Sequence, residues 1–208
     1  MTVALSPEAE AAPAPQATGA PIRERIGSLD IIRGAVMVLM AIDHVRVYAG
    51  VPAGGPTPGL FFTRWVTHFA APAFFFLAGT GTFLHGASLP SRGMLSRFLL
   101  TRGAWLIVLE MTVIRLSWTF NIDYGHYMLA GVIWALGWCM ILMAVLIHLP
   151  LPAIAALGIA IVFGHNLVDP HVQALGRSLS QSGTAWLWQV LYFGGGFKLF
   201  GGPPLLVL

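Results

Sequence analysis

Apolar residues run along this chain in long blocks, separated by short polar or Pro/Gly-rich segments. The blocks are long enough to read as membrane-crossing helices. The first block, Leu29 to Val47, carries Asp30, Arg33, Asp43, His44 and Arg46 within its apolar pattern, with Ser28 as N-cap. The Pro/Gly loop Ala49 to Gly59 follows. A second span is expected over about Arg64 to Leu84, where Pro72 should kink the helix or free a carbonyl. Gly79-Thr80-Gly81-Thr82 inside it suits close approach of another element. The third span, about Phe98 to Ser117, holds Glu110 in its second half. The fourth, Met128 to Ile147, has no charge. Pro150 and Pro152 mark a tight turn before a fifth span, Leu151 to Val168, and residues 169–183 read as a polar loop. Trp186, Trp188 and Tyr192 read as an interfacial aromatic belt. Gly194 to Gly202 breaks any helix before the terminal apolar residues, which read as the start of a further span. The expected fold is therefore all-α: a polytopic transmembrane helical bundle of about five spans plus the start of another.

Composition agrees. Of 208 residues, 57% are hydrophobic and only 9% charged, against about 25% charged in soluble domains. The formal charge is +3, with the basic residues spread along the chain, so nucleic acid is not an expected partner and an inner-leaflet bias of Arg is. Arg23, Arg25, Arg33, Arg92, Arg97 and Arg102 fall on one side, and Arg46, Arg64, Arg115 and Arg177 on the other. That bias predicts a cytoplasmic N-terminus with loops one, three and five outside. Residues 1–22 read as a disordered Ala/Pro-rich tail without the basic and apolar regions of a signal peptide. Residues 23–208 read as one transmembrane domain. The single cysteine, Cys139, excludes an intramolecular disulfide.

Charge inside the first span is costly unless it is paired or solvated, roughly 2.5–3.5 kcal/mol for an Arg or Asp at the bilayer centre. Arg33 and His44 stand eleven positions apart, about three helical turns. They share one face, roughly 16 Å apart along the axis. The structural alternative has Asp30 capping, Arg33 snorkelling and His44 at the opposite interface. Other groups fall in the same outer layer as His44: Asp43, Arg46, Arg64, His68, Glu110, Arg115, Asp123, His126, His165, Asn166 and Asp169. Span ends are commonly polar, and Glu110 could simply pair with an Arg. The inner layer is cationic and suits either a phosphorylated donor or anionic headgroups. No His-Glu-x-x-His, no Cys/His pairing at ligand spacing and no Gly-x-Ser-x-Gly elbow occurs, and no metal is expected.

The stretch LDIIRGAVMVLMAIDH resembles the first-span motif of the acyltransferase-3 family, with its Leu-Asp-x-x-Arg-Gly opening and its Arg and His separated by ten residues. The block FFTRWVTHFAAPAFFFLAG, Phe61 to Gly79, resembles bacterial relatives of heparan-α-glucosaminide N-acetyltransferase. The resemblance runs from about Arg25 onward and implies the N-terminal part of a larger acyltransferase domain, incomplete at the C-terminus. It implies an integral protein of the bacterial inner (plasma) membrane. It also implies acetyl-CoA or another acyl-CoA as donor and an amino or hydroxyl group of a carbohydrate-type acceptor. Arg33 and His44 match the motif by position; the animal enzyme aligns Asn with His44. The candidate catalytic residues are His44, Glu110 and His68. The candidate substrate- and donor-binding residues are Arg33, Asp30, Asp43, Arg64, Arg102, Asp123 and His126. A neutral imidazole at His44 could take the acceptor's proton or carry the acyl group itself. Glu110 or Asp123 would orient it better than Asp43, which lies about 100° round the helix. Expected partners are membrane lipid, donor, acceptor and a second copy in a homodimer. The alternative is a proton-coupled transporter or flippase-like protein that uses the same layer as a relay.

Overall fold

The structure is a computed structural model that describes residues 26–50, 57–125, 127–180, 184–190, 194–198 and 204–207, with only the backbone at 177–180 and 197. The N-terminal tail, His126, Tyr192 and the Arg177 side chain lie outside the described residues. Helix dominates: α1 (Gly27–Tyr48), α2 (Pro58–Thr67), α3 (Ala70–Gly86), α4 (Arg92–Leu109), a π turn (Glu110–Ile114), α5 (Arg115–Thr119), α6 (Val132–Leu146), α7 (Leu151–Ser180) and α8 (Ala185–Trp188). Three short strands accompany them: β1 (Met128–Ala130), β2 (Gly195–Lys198) and β3 (Pro204–Val207).

Local chemistry explains the helix ends. Thr57 caps α2 by accepting from the Leu60 N–H at 3.4 Å, with Pro58 in the first helical position. Ser91 caps α4 through the Met94 N–H at 3.3 Å. α1 begins one residue before Ser28, which therefore sits inside the first turn and caps nothing; Asp30 does occupy that turn. Phe120 ends α5 in the left-handed region, φ 49° and ψ 27°, and turns the chain sharply into the loop before β1. Pro72 acts one turn back. Its ring cannot coexist with a normal helical carbonyl at residue 68, and the break between α2 and α3 falls at His68–Phe69.

Two antiparallel helix pairs form the core. In the α1–α3 seam Val36, Ala70 and Leu77 are buried, flanked by Leu29, Leu39, Met40, Ala73 and Phe74. The α4–α6 seam is the more extensive and buries Leu95, Leu99, Ala144 and Ile147. These two helices cross backbone to backbone at Gly103 and Gly137. A Cβ on Gly103 would stand 2.6 Å from the Gly137 carbonyl oxygen, and one on Gly137 2.7 Å from that of Gly103. Small residues permit such an approach where lipid removes the usual hydrophobic drive between helices. Ser96 donates to the Ala144 carbonyl at 2.8 Å. Arg92 donates to the carbonyls of Ile147, His148 and Leu149 at 3.2, 3.1 and 3.3 Å. Arg92 is thus occupied in closing the C-terminal end of α6, where a cation also suits the helix dipole.

Several expectations need correction. The helix at the second span starts at Pro58, earlier than expected. The fourth block opens as a strand, β1, before α6. α7 continues through Pro170 to Ser180, across residues expected to be a polar loop; His165 and Asp169 pair one turn apart at 3.5 Å beside that proline. The residues read as the start of another span form β3. It pairs parallel with β1 and antiparallel with β2 in a sheet ordered β1-β3-β2. Pairing satisfies the backbone of chain segments that do not form helix.

Among the described residues, two helical stretches are long and apolar enough to cross a membrane: Pro58–Gly86, which is α2 with α3, and Leu151–Gly176 within α7. The other three expected spans fall short for identifiable reasons. α1 carries Asp30, Arg33, Asp43 and Arg46. The α4–α5 stretch carries Glu110 and four arginines, Arg92, Arg97, Arg102 and Arg115. α6 has 15 residues. No residue of the apolar window in α7 is buried by the rest of the protein.

The Gly103–Gly137 crossing makes a direct prediction. Gly103→Leu or Gly137→Leu should lower stability in detergent by about 1–3 kcal/mol or more, the usual range for overpacking. Gly158→Leu on α7, where a Cβ meets nothing within 4 Å, should leave it unchanged. Thermal unfolding of the three purified variants checks this, and equal melting temperatures would show that the crossing is not close.

Candidate functional site

The loop-one end of α1 gathers the densest set of polar side chains. Asp43 is held from two sides. Arg46, one turn later, donates to its Oδ1 at 3.1 Å, and the Thr67 hydroxyl of α2 donates to the same oxygen at 3.1 Å. Arg46 and Thr67 are themselves buried, so the half-buried carboxylate is compensated where an unpaired charge would be costly. Arg64, one turn before Thr67, adds positive charge near the same carboxylate.

His68 closes this cluster. Its Nδ1 lies 2.6 Å from the Arg64 carbonyl oxygen and its Nε2 3.4 Å from Arg64 Nη2. A carbonyl can only accept and a guanidinium can only donate. The tautomer is therefore set: Nδ1–H donates, and the Nε2 lone pair faces Arg64. Both ring nitrogens are engaged.

His44 differs. Its ring meets the Trp118 indole of α5 nearly at right angles, with centroids 4.9 Å apart. Tyr48, one turn along α1, stacks on the same indole at 4.7 Å and 8°. The Tyr48 hydroxyl donates to the Ser117 carbonyl at 2.8 Å. Among the described residues the His44 imidazole makes no hydrogen bond; its contact is the aromatic one.

Glu110 and Arg115 bracket the π turn, and they do not pair with each other. The buried Glu110 carboxylate accepts the Gly131 N–H at 3.2 Å and the backbone N–H groups of Ile133 and Trp134. Gly131 is the residue before α6 and lacks a side-chain cap, so Glu110 caps that helix from another helix. A Cβ at Gly131 would come within 2.8 Å of Glu110 Oε1; glycine makes the approach possible. Arg115, 1% exposed, donates to the carbonyls of Asn121, Asp123 and Tyr127. It also lies 4.2 Å from the centre of the Tyr124 ring. Asp123 meanwhile accepts the Gly125 N–H at 2.8 Å within the loop. A π turn adds one residue to the helix and rotates everything after it by about 100°. Arg115 and Trp118 take their positions downstream of that shift.

At the opposite end of α1, Arg33 lies 3.5 Å from Asp30, and its Nη2 would stand 3.2 Å from a Cβ on Gly81 of α3. The Gly79–Thr82 segment thus admits an arginine side chain. Arg102 is exposed on α4, its guanidinium 5.4 Å from the Phe98 ring centre.

Of the predicted site residues, then, the structure brings together Asp43, Arg64 and His68, while His44, the next residue along α1, packs on Trp118. It places Arg33 with Asp30 at the far end of the same helix. Glu110 and Asp123 are spent on backbone groups rather than on orienting His44. His126 lies outside the described residues. Sequence reasoning missed Thr67, Tyr48 and Trp118, and gave Arg46 no role beyond the outer layer. The Asp43–Arg46 spacing was a readable signal; the contact between α1 and α5 had none in the local sequence.

Residues 25–192 match the family described as heparan-alpha-glucosaminide N-acetyltransferase, catalytic. The chain belongs to that family. Among curated proteins nothing matches, and among solved structures nothing matches. Membership gives this membrane protein an acetyltransferase-like function with a donor of acetyl-CoA type in general.

The Glu110 contact separates structure from chemistry experimentally. Glu110→Ala should destabilise the protein by about 1–3 kcal/mol, because it strands buried N–H groups. Glu110→Gln should recover much of that, since its carbonyl oxygen still accepts. Thermal unfolding in detergent measures both, and an undiminished melting temperature in the Ala variant would remove the capping role.

Proposed function

We propose that this chain is an integral membrane acyltransferase. It moves an acetyl or other acyl group from acyl-CoA to an amino or hydroxyl group of a carbohydrate-type acceptor. The observation that carries this reading is the state of His44. It is a half-buried imidazole, held by an indole, with ring nitrogens uncommitted among the described residues, on the face of α1 that also bears Arg33. α1 is unbroken over 22 residues, so the separation of roughly 16 Å holds.

Each end has its task. Arg33 binds a donor phosphate, which a guanidinium fork matches better than an ammonium; Arg102 adds charge toward the same end. His44 takes the proton that the acceptor loses on attacking the thioester carbon. The tetrahedral adduct then collapses, the C–S bond breaks, and the proton leaves with the CoA thiol. Asp43, Arg64 and His68 bind the acceptor beside the imidazole. His44 is a better base than His68, whose Nε2 lone pair faces a guanidinium. All five long apolar segments cross the bilayer in this reading, with the charges of α1 paired or facing the site. The N-terminus is cytoplasmic, in a bacterial plasma membrane. Lipid covers α7, unless a second copy does so in a homodimer.

His44→Ala should reduce CoA release from acetyl-CoA by roughly 10²–10⁴-fold, the usual contribution of general base catalysis, while donor binding stays intact. His44→Asn, which can hydrogen-bond but cannot take the proton near neutral pH, should be similarly inactive. Retained activity in both would remove the imidazole from the chemistry. Arg33→Lys should weaken acetyl-CoA binding at normal membrane abundance, and an unchanged dissociation constant would remove the donor role. Reporter fusions should read cytoplasmic at Ser88 and external at Tyr124; the reverse pattern would invert the orientation.

A further inference from the structure

We propose that Trp118 is the positioning residue for His44. In this role an aromatic ring replaces the carboxylate that commonly orients a catalytic histidine. The proposal rests on the reading of His44 as the base. A general base needs its ring plane and lone pair fixed before the acceptor arrives. Where an acid does this, a ring N–H donates to it and one nitrogen is consumed. Among the described residues no such acid meets His44. Asp43 is committed to Arg46 and Thr67, and Glu110 to the start of α6. The Trp118 indole is the described ring against the imidazole, at 4.9 Å and 87°, a favoured perpendicular arrangement.

The indole is itself fixed. Tyr48 stacks on it, and the Tyr48 hydroxyl is tied to the carbonyl of Ser117, the residue before Trp118. The α5 segment is anchored by Arg115, whose guanidinium grips three carbonyls of the following loop. A short helix anchored by a buried cation therefore holds an indole against the imidazole and leaves both imidazole nitrogens for substrate.

Two measurements on the full chain in lipid nanodiscs test this. In steady-state CoA release, Trp118→Ala should lower kcat by about tenfold to a hundredfold, the range expected for a misplaced catalytic group. The KM for acetyl-CoA should hold, and Trp118→Phe should restore most of kcat. In NMR of ring-labelled histidine, assigned through His44→Ala, the His44 ring protons should carry an aromatic ring-current shift that Trp118→Ala abolishes. That readout needs no activity and reports contact even in a poorly active variant. A wild-type kcat in Trp118→Ala, or a His44 signal unmoved by it, would overturn the positioning role. Full activity in His44→Ala would instead defeat the reading of His44 as base, so the two failures are distinguishable.

Discussion

The Glu110 carboxylate at the start of α6 is the contact through which the two ends of the helical core are set. A helix N-terminus leaves backbone N–H groups without partners, and in a lipid environment no water reaches in to take them. Gly131 offers no side chain, so an acid from the neighbouring helix fills the position. At the other end of the same helix, Arg92 collects the terminal carbonyls. One helix thus receives a carboxyl group at its positive pole and a cation at its negative pole, from the two ends of the helical run of α4 into the π turn, with the glycine crossing between them. This fixes the register of α4 against α6. The π turn beginning at Glu110 then decides which residues face α1.

Much of the architecture could be read from the sequence because it is local. Apolar blocks and proline breaks act over a turn or two, and the helices largely follow them; Ser28, read as an N-cap, instead sits inside the first turn of α1. Boundaries failed where a distant contact decides. Nothing near Met128 signals a strand, because its partner is at Leu205. Residues 169–183 looked like a loop by polarity, yet α7 runs through Pro170 to Ser180: polar residues on an exposed helix face cost little, and an Asp–His pair lies beside the proline.

The site divides the same way. Asp43, His44, Arg64 and His68 were recognisable because ionisable groups in an apolar block demand an explanation. Their partners were only half recognisable. Arg46 sits one turn from Asp43, but Thr67 is 24 positions away and Trp118 lies on another helix. Glu110 shows the limit of depth as a guide. It sits within the layer that holds His44, yet its oxygens go to backbone groups of α6, a use that composition and spacing do not reveal.

These commitments also bear on the choice between transfer and proton transport. A relay through this layer would need titratable groups linked donor to acceptor, able to exchange protons in sequence. Among the described contacts, Glu110 serves three backbone N–H groups, His68 is locked to Arg64, and Asp43 is shared by Arg46 and Thr67. Each is held by partners that fix it rather than pass a proton onward. His44 stands apart with an aromatic neighbour and uncommitted nitrogens. One adaptable imidazole beside several static charges suits a single proton abstraction from a bound acceptor. It does not suit a conducted chain, and that asymmetry, with the family of the chain, is why acyl transfer is the stronger reading.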